Sequence, residues 1–445
     1  MRQRQLNILI LYVANRYPMR TTLWDQLYSF RRYSDHNCFY LNLTLRQLPW
    51  YLKKIKFDLI VFGTLFMASR VDDKWFDPPR EKARGLNSFA AAKIAFPQDE
   101  YLCTDVLSDF INEFGIDCVF SVAPESEWPK IYEGIDTTKV KIFSVLTGYL
   151  DPATLARINL LTKEGLPRDI DVGYRTWRAA PNLGRHGFLR QKIADLFQEK
   201  APAWGLVTDI STRREDTLWG DAWYKFLLRC KYVTSVEGGA SLLDRDGTIQ
   251  RQTEEYLARH PDATFDEVER ACFPGLDGNL RYVALSPRHL EACATRTCQV
   301  LVEGEYNGIL KPGRHYIELK RDFSNADQVL EIIKQDQLRS EITRRAYRDI
   351  VESGHYTYRS YVDFVLEKSV PHLPNLPATA LSSFSNALFY YWMRASDFIS
   401  WIQVALSLYA FRARVKGKLR RLLAAVFSEQ SVASTLGRLR QSGKR

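Results

Sequence analysis

The segment Leu285 to Leu319, LSPRHLEACATRTCQVLVEGEYNGILKPGRHYIEL, constrains the fold more than any other part of the chain. Ser286 can cap a helix, and Pro287 suits its first turn because the missing amide would have no partner there. The spacing predicts a helix from Arg288 to about Ala294, whose N-terminal amides carry a partial positive charge and suit an anionic diphosphate. Cys298 to Val302 is an unbroken apolar run, which predicts a strand covered on both faces and therefore a parallel sheet. Glu303, Gly304, Glu305, Tyr306, Asn307 and Gly308 follow at its carboxyl end, where open α/β sheets bind ligands.

The rest of the chain alternates in the same way. Strands are predicted at Asn7–Val13, Cys38–Leu43, Asp58–Phe62, Lys93–Phe96, Cys118–Val122 and Val140–Leu146, with helices at Thr22–Arg32 and near Asp105–Glu113. A second series follows: strand Asp169–Tyr174, helix Arg185–Phe197, strand Trp204–Thr208, helix Trp223–Cys230 and strand Tyr232–Val236. At 445 residues the chain exceeds what one core usually holds. The fold class expected is α/β, with two Rossmann-like domains facing a cleft: 1–165, then 166–368. A Pro-containing linker at 369–380 leads to a helical, aromatic and basic tail at 381–445. The seven cysteines are scattered without C-x-x-C spacing, so reduced, buried thiols are expected. The apolar run near Met1 leads into Asn15-Arg16-Tyr17 instead of a small-residue cleavage site and is taken as a strand, not a signal peptide.

Ser286-Pro287-Arg288-His289-Leu290-Glu291-Ala292, then Glu303, then Pro312-Gly313, resembles the donor-side domain of GT-B-type glycosyltransferases of family 1/4 kind. Gly354-His355-Tyr356-Thr357-Tyr358-Arg359 is similar to the H-T-Y-x-x-R ending of that domain. Two positions depart from the pattern: Val283 stands where many relatives have a glutamate, and Thr295-Arg296-Thr297 replaces the usual glycine. The resemblance implies transfer of a sugar from a nucleotide donor to a glycan or lipid-linked acceptor. It also implies that Glu291 accepts hydrogen bonds from the ribose diol, and that a cation after the first strand of the domain meets the diphosphate.

Strand ends supply the remaining candidates. On the donor side these are Arg175, with Arg178, Arg185 and Lys192 behind it; Glu237-Gly238-Gly239, whose glycines admit close backbone approach; Ser286, Arg288 and His289 at the helix start; and Glu303 and Asn307. Each arginine has the alternative of pairing with a nearby acid. On the acceptor side are Asn15, Arg16, Tyr17 and Gly63, with Asp99 or Glu100 as general base. Asp169-x-Asp171 and Asp244-x-Asp246 have the D-x-D form of a metal-held diphosphate. Arginine and a helix dipole can replace the metal, so no metal or other cofactor is expected, with Asp244 and Asp246 in reserve.

The net charge of +10 is concentrated at one end. From Phe411 to Arg445 ten basic residues face one acid, which accounts for +9 of it. The aromatic stretch before it, Phe384 to Phe411, is interrupted by Arg394 and Asp397 and is too short of uncharged residues to span a bilayer. The combination fits an element lying in the interface of an anionic leaflet, at roughly 1 kcal/mol per basic residue; a helical hairpin packed on the protein is the alternative. The body lacks a basic stripe, so nucleic acid is not expected. The expectation is therefore a cytoplasmic, peripherally membrane-associated glycosyltransferase of surface polysaccharide synthesis. A nucleotide-sugar epimerase and a non-catalytic nucleotide- or glycan-binding scaffold are the rivals.

Overall fold

Apolar runs flanked by helices should pair in parallel, because each crossover returns the chain to the same end of the sheet. The computed structural model, which describes residues 5–15, 19–374 and 384–406, shows this twice. The first sheet holds β1 (Asn7–Tyr12), β2 (Asn37–Asn42), β3 (Leu59–Phe62), β4 (Ala92–Ala95), β5 (Cys118–Ser121) and β6 (Lys141–Ser144). Their order is β2-β1-β3-β4-β5-β6, all parallel, with Ile10 opposite both Tyr40 and Val61. The second sheet holds β7 (Ile170–Arg175), β8 (Thr208–Ser211), β9 (Cys230–Ser235), β12 (Cys298–Val302) and β13 (Ile317–Leu319), in the parallel order β13-β12-β9-β7-β8. A two-stranded antiparallel ribbon, β10 (Gly238–Ala240) with β11 (Tyr282–Ala284), stands beside it. β8 begins four residues later than the predicted start at Trp204, because Ala201–Trp204 is a tight 3-10 turn closed by Gly205 at φ 68°.

The chain crosses between the two units twice, and the crossings touch. The Leu150 amide donates to Tyr356 O at 2.8 Å, and the Tyr358 amide donates to Leu150 O at 3.0 Å. From there Tyr358–Ser369 forms a helix whose Tyr358, Tyr361, Val362 and Val365 join the core of the first unit. The second unit therefore ends in packing terms near 357, short of the expected 368. Phe384–Leu406 is likewise a helix laid against the first unit. Its Asp397 is buried and accepts from the Tyr12 hydroxyl at 2.7 Å and the Tyr28 hydroxyl at 3.0 Å, while Trp401 Nε1 donates to the Tyr28 oxygen at 2.5 Å. This part of the tail is therefore a single helix packed on the first unit, while residues 407–445, on which the hairpin and the basic end depend, lie outside the described residues. No helix among the described residues is long and apolar enough to cross a membrane. All seven cysteines are buried and unbridged.

Candidate functional site

Between the two units lies a cleft enclosing about 470 Å³. Its second-unit wall begins at Ser286, the cap of the helix Pro287–Ala294, where Pro287 fills the first turn. The crossing segment fits tightly against this helix start: a Cβ added to Gly148 would lie 2.8 Å from Pro287 Cγ. Arg288 projects into the cleft and donates from Nη1 to Arg175 O at 2.9 Å. One helical turn on, Glu291 also faces the cleft and accepts from Trp223 Nε1 at 2.8 Å. Burial pushes its carboxyl up to about 7, against the pull of Trp223 and Arg288.

Two further arginines converge here. Arg190 reaches in from the helix Gly184–Lys200, and Arg20 comes from the first unit, its guanidinium 4.8 Å from the ring centre of Trp177 across the cleft. Burial, together with Arg190 and Arg20, pulls the Arg288 pKa below its ordinary value. Asp99 and Glu291 counter these arginines only in part, so the cleft lining keeps an excess of positive charge that favours an anion.

The opposite wall carries Thr64, Leu65, Gln98 and Asp99. Asp99 takes the left-handed conformation at φ 56°, which is uncommon outside glycine and tends to mark constrained sites. Arg70 holds the loop in this shape. Its buried guanidinium donates to Met67 O, Gln98 O, Asp99 O and Leu102 O at 2.7–3.2 Å. The loop is also tied to the second unit, the Cys103 amide donating to Asp244 O at 2.7 Å and the Asp244 amide to Tyr101 O at 2.8 Å. Asp99 is exposed to the cleft, between both walls. Desolvation by those walls raises its carboxyl above the ordinary value, while Arg70, Arg190 and Arg20 oppose the rise.

Of the residues expected from sequence, the cleft brings together Asp99, Arg175, Gly238, Gly239, Ser286, Arg288 and Glu291. Arg175 lines it, but its guanidinium is committed to Asp209 at 2.5 Å and lies 4.5 Å from the Phe226 ring centre, so Arg190 and Arg288 are the freer cations. Glu100 does not face the cleft. It is fully buried, accepting from Ser121 Oγ at 2.5 Å, the Val122 amide at 3.1 Å, the Tyr282 hydroxyl at 3.2 Å and the Tyr132 hydroxyl. Glu237 is buried too, accepting from the Tyr306 amide at 2.6 Å. His289 is held inside, its Nδ1 3.0 Å from Gln299 Oε1, and burial lowers its pKa to about 4. Asn307 ties down the end of β11 by accepting from the Leu285 amide at 2.6 Å, and Glu303 is exposed outside the cleft.

On the acceptor side, Gly63 starts the turn whose Thr64 and Leu65 reach the cleft, Asn15 follows the end of β1 by three residues without lining the cleft, and Arg16 and Tyr17 lie outside the described residues. Arg185 pairs with Asp266 and Glu269. Asp169 and Asp171 pair with Arg229 and Lys231, while Asp244 and Asp246 accept amides at the start of the helix Thr248–Arg259. Val283 is buried in β11 between two cleft-lining neighbours, Tyr282 and Ala284, so alternation turns it away from the cleft. Sequence reasoning missed Arg20, Arg70 and Arg190. Arg190 sits on the polar-looking run of a long helix, where nothing marks one arginine over the next.

No protein-family model and no curated protein matches the chain. Among solved structures, HepE of Anabaena in complex with UDP and glucose aligns over 83% of this chain and 100% of its own, at 10% identity and a TM-score of 0.46. Sucrose-phosphate synthase from Thermosynechococcus elongatus aligns over 82% of this chain and 99% of its own, at 9% identity and a TM-score of 0.46. TarM of S. aureus aligns over 73% of this chain and 57% of its own, at 13% identity and a TM-score of 0.42. These neighbours are GT-B glycosyltransferases. A likeness this remote carries no argument about what the present chain binds, which rests on the cleft itself.

Proposed function

We propose that the cleft binds a nucleotide sugar and that the protein transfers the sugar to a glycan or lipid-linked acceptor entering along the first unit, at the cytoplasmic membrane face, in surface polysaccharide synthesis. The observation that carries this reading is the convergence of Arg20, Arg190 and Arg288 with Glu291 in one interdomain cleft, opposite Asp99. The arginines and the amides at Ser286 neutralise the diphosphate, in place of a metal. Ionised Glu291 accepts two hydrogen bonds from the ribose diol. Asp99 takes the acceptor hydroxyl proton as the new glycosidic bond forms at the anomeric carbon; the bond to the diphosphate breaks, and the nucleoside diphosphate leaves with its electron pair.

Calorimetric titration of the full chain with UDP, GDP, CMP and dTDP, with and without magnesium, tests the donor site. One diphosphate nucleotide is expected to bind, indifferent to magnesium, and to weaken about 10- to 100-fold in Arg190→Ala, the ~1.5–3 kcal/mol of a hydrogen bond to a charged group. Failure of all four to bind sinks the donor site and favours the scaffold. Turnover of a bound nucleotide sugar without any acceptor points instead to an epimerase.

A further inference from the structure

The helix Phe384–Leu406 is two-faced in a way that its own sequence does not announce. Its inner face is fixed by Met393, Asp397, Ser400, Trp401 and Val404, all buried against the first unit. Its outer face is apolar and uncovered: Leu388, Tyr391, Trp392, Phe398, Ile402 and Leu406 recur at helical spacing, with Trp392 64%, Phe398 67% and Leu406 72% exposed. Over this span the helix is about 27 Å long. At its first end Trp50 is 70% exposed, 6.3 Å from the Phe389 ring, with Lys54 Nζ 4.7 Å from the Trp50 ring centre. At its other end the sequence runs on into Arg412, Arg414, Lys416, Lys418, Arg420 and Arg421.

From this the geometry points to one occupant: the outer face of the helix, with Trp50, is a docking surface for an anionic lipid bilayer. A row of aromatic and aliphatic side chains on a helix that lies flat on a folded domain suits the boundary between headgroups and acyl chains. Exposed Arg394 beside the row keeps its charge in the headgroup layer. Charge complementarity selects the lipid, since the sequence beyond the helix adds nine net positive charges from 411 to 445. A second copy of the chain would cover the apolar row equally well but gives no role to that charge. This inference stands apart from the chemistry of the cleft and holds whether or not a nucleotide sugar binds there.

Co-sedimentation of the full chain with vesicles of phosphatidylcholine alone, or with one-third phosphatidylglycerol, tests it. The chain is expected to bind the anionic vesicles, and at least ten-fold less the neutral ones. Trp392→Ser with Phe398→Ser is expected to lower binding at least ten-fold, as is Ile402→Ser with Leu406→Ser, at unchanged circular dichroism and melting temperature. Nucleotide affinity serves as an internal control that neither pair should move. Equal binding to both vesicles, binding that survives both pairs, or a concentration-dependent dimer in sedimentation velocity that the pairs abolish without any vesicle binding would each overturn it.

Discussion

At the residue scale Glu291 and Asp99 are the two carboxylates whose surroundings make chemistry legible. The Glu291 carboxyl is raised from 4.5 to about 7 by burial, so its ionisation works against the empty fold. Stability is therefore unaffected below about pH 4.5, falls as pH climbs toward 7, and stays lower above it. Ligand affinity has the opposite sign, because the ionised form accepts the ribose hydrogen bonds. Nucleotide affinity is expected to rise as pH passes through about 7, and calorimetry on Glu291→Gln should show that rise abolished; an unchanged profile removes Glu291 from the ribose. Asp99→Asn keeps a side chain that tolerates the left-handed backbone. It is expected to leave nucleotide affinity within about three-fold and melting unchanged while transfer falls by 10²–10⁴-fold. Loss of binding in parallel with turnover would instead make Asp99 a binding residue.

At the scale of elements, β10 and the tail helix show how tightly local chemistry is set. Gly239 lies at φ 138°, and a Cβ there would come within 1.9 Å of Tyr282 O on the paired strand. Gly239→Ala is expected to lower stability by about 1–3 kcal/mol, read as a fall in melting temperature, because the ribbon must part to admit a methyl. The helix Phe384–Leu406 hangs on Asp397, which takes hydrogen bonds from Tyr12 and Tyr28 and pairs with Arg31 at 3.6 Å. Asp397→Leu leaves those buried hydroxyls without an acceptor, at about 1–3 kcal/mol each. The helix should then loosen, seen as faster cleavage after 374 in limited proteolysis with the cleft's nucleotide affinity intact.

At the scale of the whole molecule, two crossings at Leu150 and Thr357 and a third tie at Tyr101–Asp244 bracket the cleft. Both units contribute charged groups to one ligand, so binding should stabilise the two together. Thermal melting at a hundred times the dissociation constant of the preferred nucleotide is expected to shift as one transition, by the equivalent of about 2.7 kcal/mol. A shift in only one of two separate transitions would place the ligand on one unit alone.

What the sequence by itself determined was periodic or local. Apolar runs such as Ile8–Leu11 and Cys298–Val302 favoured covered strands, and Ser286-Pro287 suited the start of a helix, which carried Arg288 and Glu291 toward the cleft with it. What tertiary structure decided was which polar groups have partners. Arg175 and Arg185 look from sequence as free as Arg190, yet Asp209, Asp266 and Glu269, distant in the chain, take them. Glu100 adjoins Asp99, but four donors from three separate parts of the chain bury it while Arg70 holds the backbone of Asp99. Val283 reads as a missing acid until β11 turns it away from the cleft. The tail reads as one amphipathic element until Asp397 fixes which face is inside. Backbone periodicity is written in neighbouring residues, whereas pairing and burial depend on groups that only the folded chain brings within a few ångströms.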